Sequence, residues 1–213
     1  MKDIRGWAFK YAYDLRRKLN LFFLNFPVHF VCFLKGIQVG KKVKFYGFPT
    51  IHRYPNSRIS IGEGCVFNNS KHSVESKLIK PNAFVTLQKD AQIIFGNNSG
   101  ATGSSFTARK SIVIGQNVMI GSNCIILDND LHNTNPWQRG LNIKEQVSAS
   151  PVVIEDNVFM GFNCLVLKGV TIGKNSVIGA NSVVIKSIPP DSIAIGNPCK
   201  LILKRNWGKS ANS

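Results

Sequence analysis

The sequence predicts an all-β solenoid, and a six-residue beat is the main reason. From residue 154 the chain parses without a gap into IEDNVF, MGFNCL, VLKGVT, IGKNSV and IGANSV. The first position is Ile, Met, Val, Ile and Ile; the fourth is Asn, Asn, Gly, Asn and Asn; the fifth is Val, Cys, Val, Ser and Ser. The same frame recurs in IGEGCV (61–66), IKPNAF (79–84), LQKDAQ (87–92), FGNNSG (95–100), IGQNVM (114–119) and IGSNCI (120–125).

The recurring fourth position explains the beat. A residue with positive φ is costly unless it is Gly, Asn or Asp. One such residue in every six therefore implies short strands joined by like corners. The aliphatic first position points inward, and the small fifth position packs beside it. Units of this kind bury their apolar faces by stacking on one another. With three units per coil, residues 18 apart would lie above each other, Ile154 over Ile172 and Met160 over Ile178.

Ahead of the repeat, residues 1–36 read as a helical, amphipathic segment. Their long apolar stretch, LNLFFLNFPVHFVCFL (19–34), is 16 residues long and interrupted by Asn20, Asn25, Pro27 and His29. A membrane span takes about 20 mostly apolar residues, and a signal peptide would begin earlier and end in a small-residue cleavage site. Two readings stay open: a helical cap on the core, or an interfacial segment touching a membrane. Charge bears on the second. The chain carries a net +16, with ten Lys/Arg against two acids in residues 1–44, and four basic residues and no acid in 200–213. Basic ends on a weakly charged body suit an anionic partner such as phosphate or a membrane surface. No motif for nucleic acid accompanies that charge. The composition, 44% hydrophobic and 18% charged, is that of a globular chain.

Cys65, Cys124 and Cys164 all occupy the fifth position, where other units place Ser, Val or Ala. They read as small core residues. Without a CxxC spacing there is neither a zinc motif nor a disulfide framework, and a reducing cytoplasm is the expectation.

The beat stops inside IILDNDLHNTNPWQRG (125–140). The unit ILDNDL (126–131) keeps Asn129 at its fourth position but puts Asp130 where a small residue is due. The next aliphatic slot holds His132, and the rhythm resumes only at Ile154. Residues 132–151 are therefore expected to leave the solenoid as an irregular loop containing Pro136, Trp137, Arg139 and Gly140, and long loops in compact domains tend to be functional. Histidine is the residue type whose reference pKa lies near neutrality, so His132 is suited to taking a proton. Asp128 or Asp130 could hold its tautomer by a hydrogen bond. Against this stands the reading of a polar loop anchor with Asp and Asn as turn residues.

The stretch GVTIGKNSVIGANSVVIKSIPPDSIAIGNPCKLI (169–202) resembles the C-terminal signature of the hexapeptide-repeat acyltransferases. Within them it is most similar to the sugar O-acetyltransferases, which include maltose and galactoside acetyltransferases and the enzymes that acetylate capsule or O-antigen sugars. The likeness covers residues 37–204, with a tail at 205–213 beyond it. It implies a left-handed parallel β-helix of triangular section, a homotrimer, and acetyl-CoA bound between neighbouring subunits. It implies no metal. By the same resemblance His132 is the general base, and the acceptor is a saccharide, in surface polysaccharide biosynthesis. Asp130 joins His132 in the candidate catalytic set, and Asp128 and Arg139 are candidates for the acceptor site, Arg139 reading by default as a solvated or loop-bracing arginine. Donor-site residues implied in this way are Phe159, Gly161, Ala180, Ile185, Lys186, Lys200 and Lys204. Phe159 stands where family members often have Trp, and Ile185–Lys186 where the sugar enzymes have Thr–Lys. Acetylation of an antibiotic or other small alcohol, a hydratase resembling the γ-type carbonic anhydrases, and a non-catalytic solenoid are the competing readings. The last two need a convergent histidine set and no turnover, respectively. The expected location is the cytoplasm, at the inner face of the membrane if residues 1–36 touch it.

Overall fold

The computed structural model describes residues 3–70, 80–140 and 147–204, apart from the side chains of Arg17, Asn20 and Lys204. Short strands succeed one another on three faces, and all but the last, Lys200–Lys204, pair in parallel with the strand one coil away. The first and third faces are six-stranded sheets and the second is eight-stranded. Ile154 pairs with Ile172 and Met160 with Ile178, so the coil does repeat every 18 residues. This is the left-handed parallel β-helix, a three-sided prism.

The corners explain the fourth position. Asn98, Asn117, Asn157 and Asn175 have φ between 54° and 60° and lie in one column along the edge between the first and second faces. Asn123, Asn163 and Asn181 do the same along the edge between the second and third, at φ 58–59°. The amides also stack. Asn117 Nδ2 donates to Asn157 Oδ1 (3.2 Å), Asn157 to Asn175 (3.0 Å) and Asn175 to Asp191 (2.8 Å). The second position is glycine for a separate reason. A Cβ on Gly115 would lie 2.7 Å from the backbone nitrogen of Asp156 in the next coil, so the coils close only where that atom is missing.

Two units break the expected frame: in ILDNDL the positive φ falls on Leu131 and not on Asn129, and IKPNAF departs further. Asn82, the fourth position of IKPNAF, is not among the positive-φ residues. It is fully buried and acts as a clasp: Asn82 Nδ2 donates to Asn69 Oδ1 (2.8 Å), and Ser104 N donates to Asn82 Oδ1 (2.8 Å). Phe84 takes the inward position on this face, pairing with Phe106. The strand Ala83–Thr86 therefore follows a shifted frame, with Phe84 inward where the sixth position of the unit was expected.

The core changes along the axis. Phe45, Phe67, Phe84, Phe95 and Phe106 fill the lower coils, with ring centroids 4.9–5.8 Å apart. Above them the inward positions are Ile114, Ile154, Ile172, Met160, Ile178, Val166 and Val184. Cys65, Cys124 and Cys164 are buried free thiols in this core, as the fifth position predicts.

The N-terminal segment is a single long helix, α1 (Ile4–Leu34), which runs through Pro27. Asp3 Oδ1 caps it by accepting from Gly6 N (2.9 Å). At its other end Gly36 (φ 65°) lets Ile37 N reach Cys32 O (2.9 Å) and Gly36 N reach Phe33 O (2.9 Å), a Schellman stop. Only its last third meets the prism. Val28 and Cys32 close the end of the core, and burial pushes the Cys32 thiol up to about 11. The first coil has no rung beneath it, and unpaired backbone groups there would be costly. Asn25 and His29, two of the polar interruptions noted in the sequence, serve that edge. Phe45 N donates to Asn25 Oδ1 (2.9 Å), and His29 Nε2 lies 3.2 Å from Val43 O.

Candidate active site

The strand Ile125–Leu127 on the third face carries the chain to the edge where it leaves the prism. Asp128 follows and is fully buried. Its Oδ1 accepts from Arg109 N (2.7 Å) and its Oδ2 from Lys110 N (2.6 Å), and Asn129 Nδ2 adds a third bond to Oδ1 (2.9 Å). Asp128, expected to face the acceptor, instead fastens the corner of the coil below. It presents no surface to a bound molecule.

The two stems of the excursion close on each other. Asn129 bridges Ala149 in antiparallel fashion, Asp130 N donates to Ser148 O (3.2 Å), and Ser150 N donates to Asp128 O (2.8 Å). Asp130 forms an ion pair with Lys168, whose ammonium also donates to Ser148 Oγ (3.1 Å). The expected hydrogen bond from His132 to Asp130 is replaced by this pair. Lys168 escaped the sequence reading because it lies 38 residues from Asp130, one coil above it.

His132 leaves this anchored base on a three-residue turn. Its N–H donates to Asp130 O (2.6 Å) across Leu131, which has φ 61°. That is the γ-turn form, which is strained. Apart from Leu131 and Lys42, every non-glycine residue with positive φ among the described residues is Asn or Asp. A leucine held there costs about 1–2 kcal/mol. The turn presents His132 to solvent, and its imidazole makes no hydrogen bond with another described residue. It is therefore uncommitted, as a proton acceptor for an incoming molecule must be.

Beyond His132 the expected irregular loop contains a helical turn, α2 (Pro136–Gly140). Asn135 Oδ1 caps it by accepting from Trp137 N (3.0 Å), with Pro136 in the first helical position. The Asn–Pro pair was a readable signal for it. Arg139 Nη1 donates to Asn133 O (3.4 Å), so Arg139 braces its own loop while remaining exposed. Residues 141–146 lie outside the described residues.

The donor-site residues fall into separate places. Phe159 is exposed on the outer surface of the second face, between Met119 and Val177. Gly161 and Ala180 meet at the edge between the second and third faces, where a Cβ on Gly161 would lie 2.6 Å from Ala180 N. Coil packing accounts for that glycine. Ile185 and Lys186 are exposed at the far end of the third face, 18 residues on from Leu167 and Lys168 and so one coil above them. They share an edge with the His132 stem. Lys200 is exposed at the start of the antiparallel strand Lys200–Lys204 that ends the second face; the side chain of Lys204 lies outside the described residues, as do His72 and the tail 205–213. Within one chain the third face thus separates His132 and Lys186 from Phe159, Gly161 and Ala180. No group of three His, Cys, Asp or Glu side chains among the described residues could hold a metal ion.

The fold and this site define a class, the left-handed β-helix proteins with a loop carrying a histidine. A solved structure of that fold, the N-acyltransferase AntD of Bacillus cereus, matches over 79% of this chain and 83% of its own at a TM-score of 0.61 and 19% identity. The family model described as the hexapeptide repeat of succinyl-transferase matches residues 111–126 and 151–186. A protein named as an acetyltransferase in Staphylococcus aureus is 45% identical over 113 residues, which is 44% of this chain and 55% of that one. One so named in Saccharomyces cerevisiae is 43% identical over 106 residues, 48% of this chain and 54% of that one. Residues 111–126 and 151–186 thus match the hexapeptide repeat, and over about half its length the chain is similar to proteins named as acetyltransferases. It spans about half the length of the curated relatives it matches.

Proposed function

We propose that this chain is an acetyl-CoA-dependent O-acetyltransferase that acetylates a saccharide hydroxyl, with His132 as general base. The observation that carries the reading is the free imidazole of His132, held on a strained turn above a loop base tied by Asp128, Asp130 and Lys168. Acetyl-CoA supplies an activated thioester. His132 accepts the hydroxyl proton as the acceptor oxygen attacks, holds it as imidazolium, and delivers it to the departing sulfur, so it ends the cycle neutral. The base is then ready for another turnover without an acyl-enzyme.

The protein acts as a homotrimer in this reading. One chain leaves Phe159 and the Gly161–Ala180 edge on a different side of the prism from His132 and Lys186, and a neighbouring chain would bring the two sides together. Lys186 and Lys200, both exposed cations, suit the phosphates of the donor. The saccharide acceptor and a place in surface polysaccharide biosynthesis rest on the likeness of residues 169–202 to the sugar enzymes. The cytoplasm is the compartment that supplies the donor and suits five free cysteines.

The test is incubation with acetyl-CoA and a panel of sugars, nucleotide sugars, lipid-linked glycans and small alcohols, read by mass spectrometry. A glycan gaining an acetyl group is the expected result. Preference for an antibiotic or other small alcohol would overturn the acceptor, and absence of turnover on the whole panel would overturn the activity.

A further inference from the structure

We infer that α1 docks the protein on an anionic lipid surface, lying in the plane of the membrane. At 1.5 Å per residue the helix is about 46 Å long, yet the residues that bond to the prism or bury fully against it, Asn25, Val28, His29 and Cys32, all lie in its last third. These four project from one side. On the adjoining side, about 100° around the helix, Leu15, Leu19, Phe22, Phe26, Phe30 and Phe33 recur every three or four residues, which makes one continuous stripe. The stripe is bare: Phe22 is 78% exposed, Phe26 76% and Phe33 76%. Six such side chains exceed the few hundred Å² of contiguous apolar surface that a monomer ordinarily shows.

Charge selects the occupant. Residues 4–34 contain five Lys/Arg and one acid. Arg16 and Lys18 are exposed and stand about 80° to either side of the stripe on the helical wheel. An apolar stripe between basic flanks matches acyl chains beneath anionic headgroups. A second copy of α1 would instead set like charges against each other. The one acid of the helix, Asp14, is already paired with Lys10 at 2.9 Å and could not relieve them. No helix among the described residues is long and apolar enough to cross a membrane, so α1 is placed on the surface.

Vesicle co-sedimentation of the full chain tests this, with phosphatidylcholine vesicles compared with mixed phosphatidylcholine–phosphatidylglycerol vesicles. The chain should pellet with the mixed vesicles at least about tenfold more strongly, and salt should weaken the binding. Phe22→Ser with Phe26→Ser should abolish pelleting. Arg16→Gln with Lys18→Gln should weaken it about tenfold with the stripe intact. Neither pair replaces a residue that grips the prism, so the thermal midpoint of the β-helix should be unchanged. The idea fails if the phenylalanine variant pellets like the parent, or if the parent ignores phosphatidylglycerol. It also fails if sedimentation equilibrium shows the parent in a larger assembly that the phenylalanine variant dissociates, since a second copy would then be the occupant.

Discussion

Two edges of the same prism turn the chain with opposite chemistry. Between the first and second faces, each upper corner is an asparagine in the left-handed region whose amide bonds to the next, from Asn117 through Asn157 and Asn175 to Asp191. Between the third and first faces the corresponding level has a buried carboxylate, an ion pair and a strained leucine. The first edge spends its polar groups on itself. The other uses Asp128 and the Asp130–Lys168 pair to tie the base of a loop, and it leaves one imidazole unspent. Repetition gives stability, and its interruption gives a group free to react.

The sharpest way to separate the two edges is His132→Ala. Acetyl transfer, followed as thiol release, should fall about a thousandfold while the urea midpoint stays put; retention of activity within tenfold would remove His132 from the chemistry. The reciprocal change is Asn157→Val. It forces a β-branched residue into positive φ and cuts the amide ladder, at about 3 kcal/mol in urea unfolding. Asn157→Gly should cost only about 1 kcal/mol, because it keeps the turn and loses the ladder alone. Equal losses for the two would mean that the conformation of the corner is immaterial. Lys168→Met should release Asp130 and loosen the stems, with a global cost of about 1 kcal/mol for this partly exposed pair. Faster hydrogen exchange at residues 128–132 and 147–150 would report it, and unchanged exchange would count against the pair as an anchor. Smallest is Leu131→Asn, which should raise stability by under about 1 kcal/mol by relieving the turn; a loss of stability would show that the leucine side chain earns its place by contact.

What could be read in the sequence was whatever a residue imposes on its own backbone. Asn157, Asn163 and Gly169 announce their corners because positive φ is a local demand, and the 18-residue stacking follows once the corners are counted. The glycines of the second position answer to a neighbour in the next coil, 41 residues away for Gly115 and Asp156, and no local rule reveals that distance. Asn82 fitted the frame by identity but serves as a buried clasp, since a side chain's partners decide its role. The same holds at the site. The oddity of Asp130 and His132 was visible, but the partner of Asp130 was not, because Lys168 becomes its neighbour only through the winding. Asn25 and His29 looked like flaws in an apolar stretch until the bare edge of the first coil supplied their purpose.

The 18-residue period also limits how such a chain can change. Removing one six-residue unit would hand every later unit to the neighbouring face and so scramble all the columns above it. Removing or duplicating eighteen residues would only shorten or lengthen the prism by one rung, about 4.8 Å. An insertion at an edge escapes both constraints if its two stems meet, as Asn129 and Ala149 do, because the chain re-enters in step. New chemistry can thus be tried at an edge without renumbering the molecule in space.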